Sequence, residues 1–358
     1  MRKIIFCSSL LFAFITGCGG YGGSILPNDR TSYNEAIQKS NMEEMLLNLV
    51  RMRYDDPPLF VKVSSLTSSL SRSINMSVFS NFSTYLSKPW TLFEFEPSTS
   101  FSETPVISYA PLQGMEFINR MMSKVTLDKI FLMIESGWDF EMVSRVCFAK
   151  IGKVENALNA SGPSPTHIPE YEEFIDLSRL IRLLQLKNAV EFSFDKTNLI
   201  MDIDLKKSDG FEQELNTVLG TPTLNSRFYL STSVPSNLRE GVLNIKIRSI
   251  LGILYYLSLS VRVPPEDITM GFVNKIRDEE GTIFDFLKIN SDILKIYSEK
   301  DKPSVVAVQT SLKGHNWYLD AADVQSKKTF SFLLQLFALQ AAKVKNLAPA
   351  ITIPIGRN

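Results

Sequence analysis

This 358-residue chain predicts an α+β fold: a β-hairpin insert with a helical bundle, followed by a mixed α+β domain. Three observations carry that expectation. Residues 66–109 alternate apolar and polar positions with a period of two, the mark of strands with one apolar face. Residues 111–160 change to helical spacing. From 170 onward, short strands and helices mix without a strict βαβ rhythm, which separates α+β from a doubly wound sheet.

Composition narrows the function classes. Hydrophobic residues make up 44% and charged residues 21%, values of an ordinary globular protein. The 38 basic and 38 acidic residues cancel, so nothing attracts nucleic acid electrostatically.

The chain opens on Met1-Arg2-Lys3 and then a thirteen-residue uncharged run, Ile4 to Thr16. This has the form of an export signal, too short and wrongly flanked for a permanent membrane span. It ends in Ile15-Thr16-Gly17-Cys18, which resembles the lipobox of bacterial lipoproteins. That resemblance implies a signal peptide over 1–17, cleavage after Gly17, a diacylglycerol on the Cys18 sulfur and acylation of the new amine. The mature chain would then carry 36 basic against 38 acidic residues, a net charge of −2. Gly19 follows the cysteine where an aspartate would hold a Gram-negative lipoprotein at the inner membrane. The implied location is therefore the outer membrane, facing the periplasm.

Residues 18–33, with Gly-Gly-Tyr-Gly-Gly-Ser after Cys18, read as a lipidated flexible tether. Asn34 to Tyr54 reads as a helix, with Ile37, Met42, Met45, Leu46, Leu49, Val50 and Met52 at helical spacing and Pro57-Pro58 ending it. The alternating runs 66–82 and 93–109, joined around Ser87-Lys88-Pro89-Trp90, predict a hairpin. Three uses of it stay open: a sheet packed on helices with its serine-rich face in water, a partner-docking surface, or a membrane hairpin. The last requires a ring of subunits, because one hairpin leaves unpaired edges in lipid. Tyr85 and Trp90 suit an interfacial belt; Arg72, Pro97 and Pro105 weigh against insertion.

Helices are expected over 112–125, 127–136 and 140–160. Cys147 lies in the apolar pattern of the third, as a buried thiol. The stretch 161–169, rich in proline, predicts a linker between a 34–160 domain and a 170–358 domain, with His167 solvated. The second domain is expected to hold helices over 170–188, 211–219, 249–261 and 324–343. Strands are expected over 190–194, 199–205, 227–231, 243–247, 283–289, 304–309, 316–320 and 350–355.

Four segments are similar to a family of uncharacterised bacterial lipoproteins: Leu46 to Pro58 (LLNLVRMRYDDPP), Tyr109 to Gly114 (YAPLQG), Arg248 to Gly252 (RSILG) and Ser326 to Phe330 (SKKTF). That resemblance implies location and no catalysis.

Motifs for chemistry are sparse. Two histidines exclude a histidine-rich zinc site, and no Cys-x-x-Cys, His-Glu-x-x-His, Gly-x-Ser-x-Gly or phosphate-binding glycine loop is present. No metal or cofactor is therefore expected. Ser193-Phe194-Asp195-Lys196 fits Ser-x-x-Lys, but on a strand end and without Lys-Thr-Gly. The best polar cluster is His315, Trp317, Tyr318, Asp320 and Asp323. Within it His315 and Asp320 are the catalytic candidates, an acid–base pair if the strands join them; Asp323 is also placed to cap the last helix. Arg248 is expected to pair with a carboxylate or bind an anion.

The leading expectation is a lipid-anchored, non-enzymatic envelope protein with a structural or assembly role, attached through Cys18, its partner another copy or an envelope protein. The alternatives are a pore or secretion-channel subunit built on residues 66–109, and a periplasmic hydrolase.

Overall fold

In a computed structural model, residues 22–81, 92–112, 114–163, 165, 167–221, 224–233, 240–341 and 351–354 are described. For 22–29, 64–106, 341 and 351–354 the description is of the backbone alone. The signal segment, Cys18 and residues 82–91, with Tyr85 and Trp90, lie outside the described residues. The chain is α+β, and it divides into two compact units: Met1–Pro58 with Ile118–Ala342, and Leu59–Phe117 with Lys343–Asn358.

The larger unit begins with α1 (Gly22–Arg53). It starts twelve residues earlier than Asn34, so Gly22 to Tyr33, expected in the tether, are helical. Once a helix is nucleated, each added residue contributes a hydrogen bond, and the docked C-terminal half supplies the nucleus. That half buries Met45, Leu46, Leu49, Val50 and Met52, a stripe at helical spacing. Between Arg30 and Asn41 the residues are exposed except Tyr33 and Ile37.

Two short helices follow, α2 (Met115–Met122), which spans the division between the units, and α3 (Leu127–Glu135). Next comes α4 (Phe140–Cys147), which Asp139 caps by accepting from the Met142 amide at 2.8 Å. The expected helix over 140–160 stops at Cys147. Phe148–Ile151 (β3) and Val154–Glu155 (β4) form a small hairpin instead, turning at Gly152, whose φ is +56°.

Helix α5 (Glu172–Leu186) packs on α4. Strands β5 (Val190–Asp195) and β6 (Asn198–Ile203) form the expected hairpin, and α6 (Phe211–Leu219) leads to β7 (Arg227–Ser231) and β8 (Val242–Ile247). One six-stranded sheet has the order β4-β3-β8-β7-β6-β5, antiparallel except for β7–β8. This sheet draws strands from both sides of residues 161–169. The predicted boundary there is therefore a connection inside one unit, and Asn274 donates to the Pro165 carbonyl at 3.3 Å. The helices predicted as a separate bundle cover this same sheet: Phe131 of α3 stacks on Phe194 at 6.0 Å, and Phe140 of α4 on Phe192 at 5.0 Å.

The remaining elements of this unit are α7 (Ile250–Ser258), α8 (Pro265–Met270), α9 (Leu287–Asn290), β9 (Tyr297–Ser298), β10 (Val306–Leu312), β11 (His315–Asp320) and α10 (Val324–Ala341). A second sheet has the order β10-β11-β9, and α1 packs on both α7 and β10. Residues 283–289, expected as a strand, instead lead into α9, because the Asp285 carboxylate accepts from the Leu287 amide at 3.0 Å and starts a helical turn.

In the smaller unit, β1 (Val61–Asn81) and β2 (Leu92–Pro111) pair antiparallel over twenty register positions, longer than the runs expected. The closing strand β12 (Ile351–Pro354) pairs with β2 from Val106 to Tyr109. At the base of this ribbon Phe60 and Phe117 meet edge to face at 6.3 Å, and Leu112 donates to the Phe60 carbonyl at 2.8 Å.

Candidate functional site

The structure separates the predicted acid–base pair. His315 opens β11 and Asp320 closes it. Five steps along one strand span roughly 17 Å and put the two residues on opposite faces. Asp320 instead accepts from the Ala322 amide at 2.8 Å, in the turn before α10. Asp323 caps α10, accepting from the Ser326 amide at 3.0 Å and the Ser326 hydroxyl at 2.7 Å.

His315 finds a different carboxylate. Its Nε2 lies 3.7 Å from Asp267 Oδ2 in α8, and the buried Tyr54 hydroxyl donates to that same oxygen at 2.5 Å. Burial, the bond to Asp267 and that carboxylate's charge push the Tyr54 phenol above its ordinary range. Around this trio, the Trp317 ring meets Tyr54 at 5.7 Å, and Lys313 lies over the Tyr54 ring and 3.0 Å from Asp56. The Lys313-Gly314 turn, with φ of +50° and +84°, sets His315 at its place. What this arrangement does is fasten the end of α1 to α8 and to the β10–β11 hairpin.

Arg248 pairs with no carboxylate among the described residues. Its guanidinium is buried and donates to main-chain oxygens: Phe148 at 2.5 Å, Arg145 at 3.2 Å, and Asn156. Its Nε donates to the Ser161 hydroxyl at 2.9 Å, and the group lies 4.0 Å over the Tyr256 ring. Burial lowers its pKa to about 10, still charged at neutral pH. A cation there satisfies the carbonyls at the end of α4, where the helix dipole is negative. Ser249 caps α7 through the Gly252 amide at 3.0 Å, and a β-carbon at Gly252 would stand 3.3 Å from the Ser161 carbonyl. The segment Arg248 to Gly252 is thereby accounted for as packing.

Cys147 is fully buried, and burial pushes its thiol up to about 12. Ser193 sits inside β5 opposite Ile200, and Lys196 is exposed in the following turn. His167 is exposed, as expected. Arg145, unnoticed in the sequence, is buried and pairs with Asp292 at 2.7 Å. Burial is the largest single influence and works against both charges; the hydrogen bond between them, added to the attraction of neighbouring charges, outweighs it, raising the guanidinium and lowering the carboxyl.

A cavity of about 500 Å³ opens in the larger unit between the end of α1, α8, α9 and β9. Leu259, Val261, Val263, Ile268, Val273 and Phe286 make it largely apolar, and Arg53, Arg262, Lys275 and Lys300 bring cations against Asp285 and Asp301. Arg262 pairs with Asp301 at 2.9 Å, and Lys300 with Glu266 at 2.9 Å. Arg53 is different. Its Nε is buried with no hydrogen-bond partner among the described residues, and its guanidinium lies 5.2 Å from the Phe286 ring centre. Burial lowers its pKa to about 10, against the raising influence of Asp55, Tyr54 and Asp285. Nothing in the spacing of Arg53 in the sequence marks a cavity.

Among the described residues no group of three or more histidine, cysteine, aspartate or glutamate side chains is placed to hold a metal, and no helix is long and apolar enough to cross a membrane. Compared with protein-family models, with curated proteins and with solved structures, the chain matches none.

Proposed function

We propose that this chain is a lipid-anchored, non-enzymatic envelope protein, held to the outer membrane through Cys18, with an assembly role played by the β1–β2 ribbon. The lipobox-like Ile15-Thr16-Gly17-Cys18 supports the anchor. The observation that carries the assembly role is the ribbon's backbone pairing. Strands of 21 and 20 residues far exceed the usual 3–10 and run roughly 65 Å. Among the described residues, only β12 adds to them, over four positions of β2. A two-stranded ribbon is marginal alone, and its open edges are templates for another strand.

The two edges differ. β2 has part of its outer edge taken by β12, and Pro97 and Pro105 supply no amide donor. β1 contains no proline in its 21 residues. The open edge is thus that of β1, and the occupant we assign to it is β1 of a second copy, paired about a twofold axis. A ring-shaped pore would need both edges of every ribbon, which the prolines of β2 oppose.

Single cysteines test this directly, because Cys147 is buried and Cys18 would be acylated. Cysteines placed singly at Ser69, Ser71, Ser73 and Asn75 in full-length protein should give a disulfide-linked dimer at one or two adjacent positions. Cysteines at Ser98, Ser100 and Ser102 should give none. Cross-linking through β2 with none through β1 would refute the twofold pairing. A Cys18→Ser chain that stays in the membrane fraction would refute the anchor.

A further inference from the structure

We infer that the cavity at the end of α1 binds an organic carboxylate with an apolar body, of the size class of a medium-chain fatty acid, through the guanidinium of Arg53. This assignment does not depend on the ribbon or the anchor.

The cavity's volume, about 500 Å³, falls within the range of small-molecule sites. Its chemistry suits an amphiphile: apolar walls from Val261, Ile268, Val273 and Phe286, with the Arg53 guanidinium among the lining groups. Of the other cations on the lining, Arg262 pairs with Asp301 and Lys300 with Glu266, while Lys275 donates to the Ile268 carbonyl at 3.4 Å. Arg53 holds a buried Nε without a hydrogen-bond partner among the described residues. A half-buried guanidinium whose Nε is shut from water has lost hydration there without gaining a partner, so an anion that answers it gains the ion pair at little further desolvation cost. The guanidinium fork matches the two oxygens of a carboxylate.

The Arg53 fork is matched by a single carboxylate. A phosphate dianion would bring a second negative charge beside Asp285, which also lines the cavity. A neutral alcohol of the same length would fill the walls and leave Arg53 unanswered.

The test uses the full-length chain, with octanoate, octanol and inorganic phosphate as probes, read by ligand-observed NMR and by thermal shift. Octanoate should bind at least tenfold more tightly than octanol or phosphate and raise the melting temperature. Arg53→Met, which keeps the apolar stem, should lose that preference by tenfold or more. Asp285→Asn, whose amide oxygen can still accept from the Leu287 amide, should bind octanoate more tightly than the unaltered chain. Equal binding of octanoate and octanol by the unaltered chain would overturn the assignment, whether or not Arg53→Met folds. So would no binding of octanoate, tighter binding of phosphate, or octanoate affinity unchanged in a folded Arg53→Met chain.

Discussion

The Arg248 guanidinium closes the end of α4 with donors that no shorter or uncharged side chain supplies. It reaches the carbonyls of Arg145, Phe148 and Asn156 together and still bonds Ser161. Arg248→Met keeps the stem over Tyr256 and leaves those carbonyls buried without that donor, at about 1–3 kcal/mol for each polar group left unpaired. Urea denaturation should show a loss of about 3–5 kcal/mol, the size seen when a buried charged group is removed from its partners. Arg248→Lys should recover little, since an ammonium cannot reproduce the planar fork. An Arg248→Met chain as stable as the unaltered one would show that these bonds contribute nothing. In the sequence, Arg248 looked like half of an ion pair. The main-chain oxygens that hold it belong to residues some ninety to one hundred positions away, and no spacing rule reports them.

At the scale of elements, α1, α8 and the β10–β11 hairpin meet at Tyr54, Asp267 and His315. The helices of this region were legible in outline because their apolar stripes are local: Met45, Leu46, Leu49 and Val50 mark the docked face of α1 without reference to anything else. The hairpin was legible from the two strands expected over 304–309 and 316–320. The partner of His315 was not, because Asp267 sits in a six-residue helix whose sequence, Pro-Glu-Asp-Ile-Thr-Met, carries no period to read. Nor did the end of α4 show, since Phe148, Ile151 and Val154 also fit helical spacing, and only Gly152 marked the reversal. A pH dependence follows from the clamp. The folded Tyr54 pKa lies above that of the unfolded chain, near 10, so this contact's stability is complete below that value. It is lost progressively as pH rises above it. Tyr54→Phe leaves the Asp267 carboxylate without its hydroxyl donor, costing about 1–3 kcal/mol near neutrality. The same substitution should remove the part of the alkaline decline due to Tyr54. Equal alkaline profiles in thermal unfolding of the two chains would contradict the clamp.

For the molecule as a whole, the sequence predicted the α+β class but drew its division at 161–169, where prolines gather. The division instead follows contacts: residues 59–117 join the C-terminal segment through β12, and the rest forms one unit around the six-stranded sheet. Proline and glycine report where a chain bends, and a bend inside a sheet-and-helix unit looks the same as one between units. The ribbon was readable because its alternation is local, and the place of β1 at the edge of the described sheet became visible only with the strand order. The most direct measurement of the central claim is the mass of the detergent-extracted, acylated protein beside a chain lacking residues 66–105. The expected result is a dimer that becomes a monomer when the ribbon is removed. A large ring, or the same mass with and without the ribbon, would contradict it.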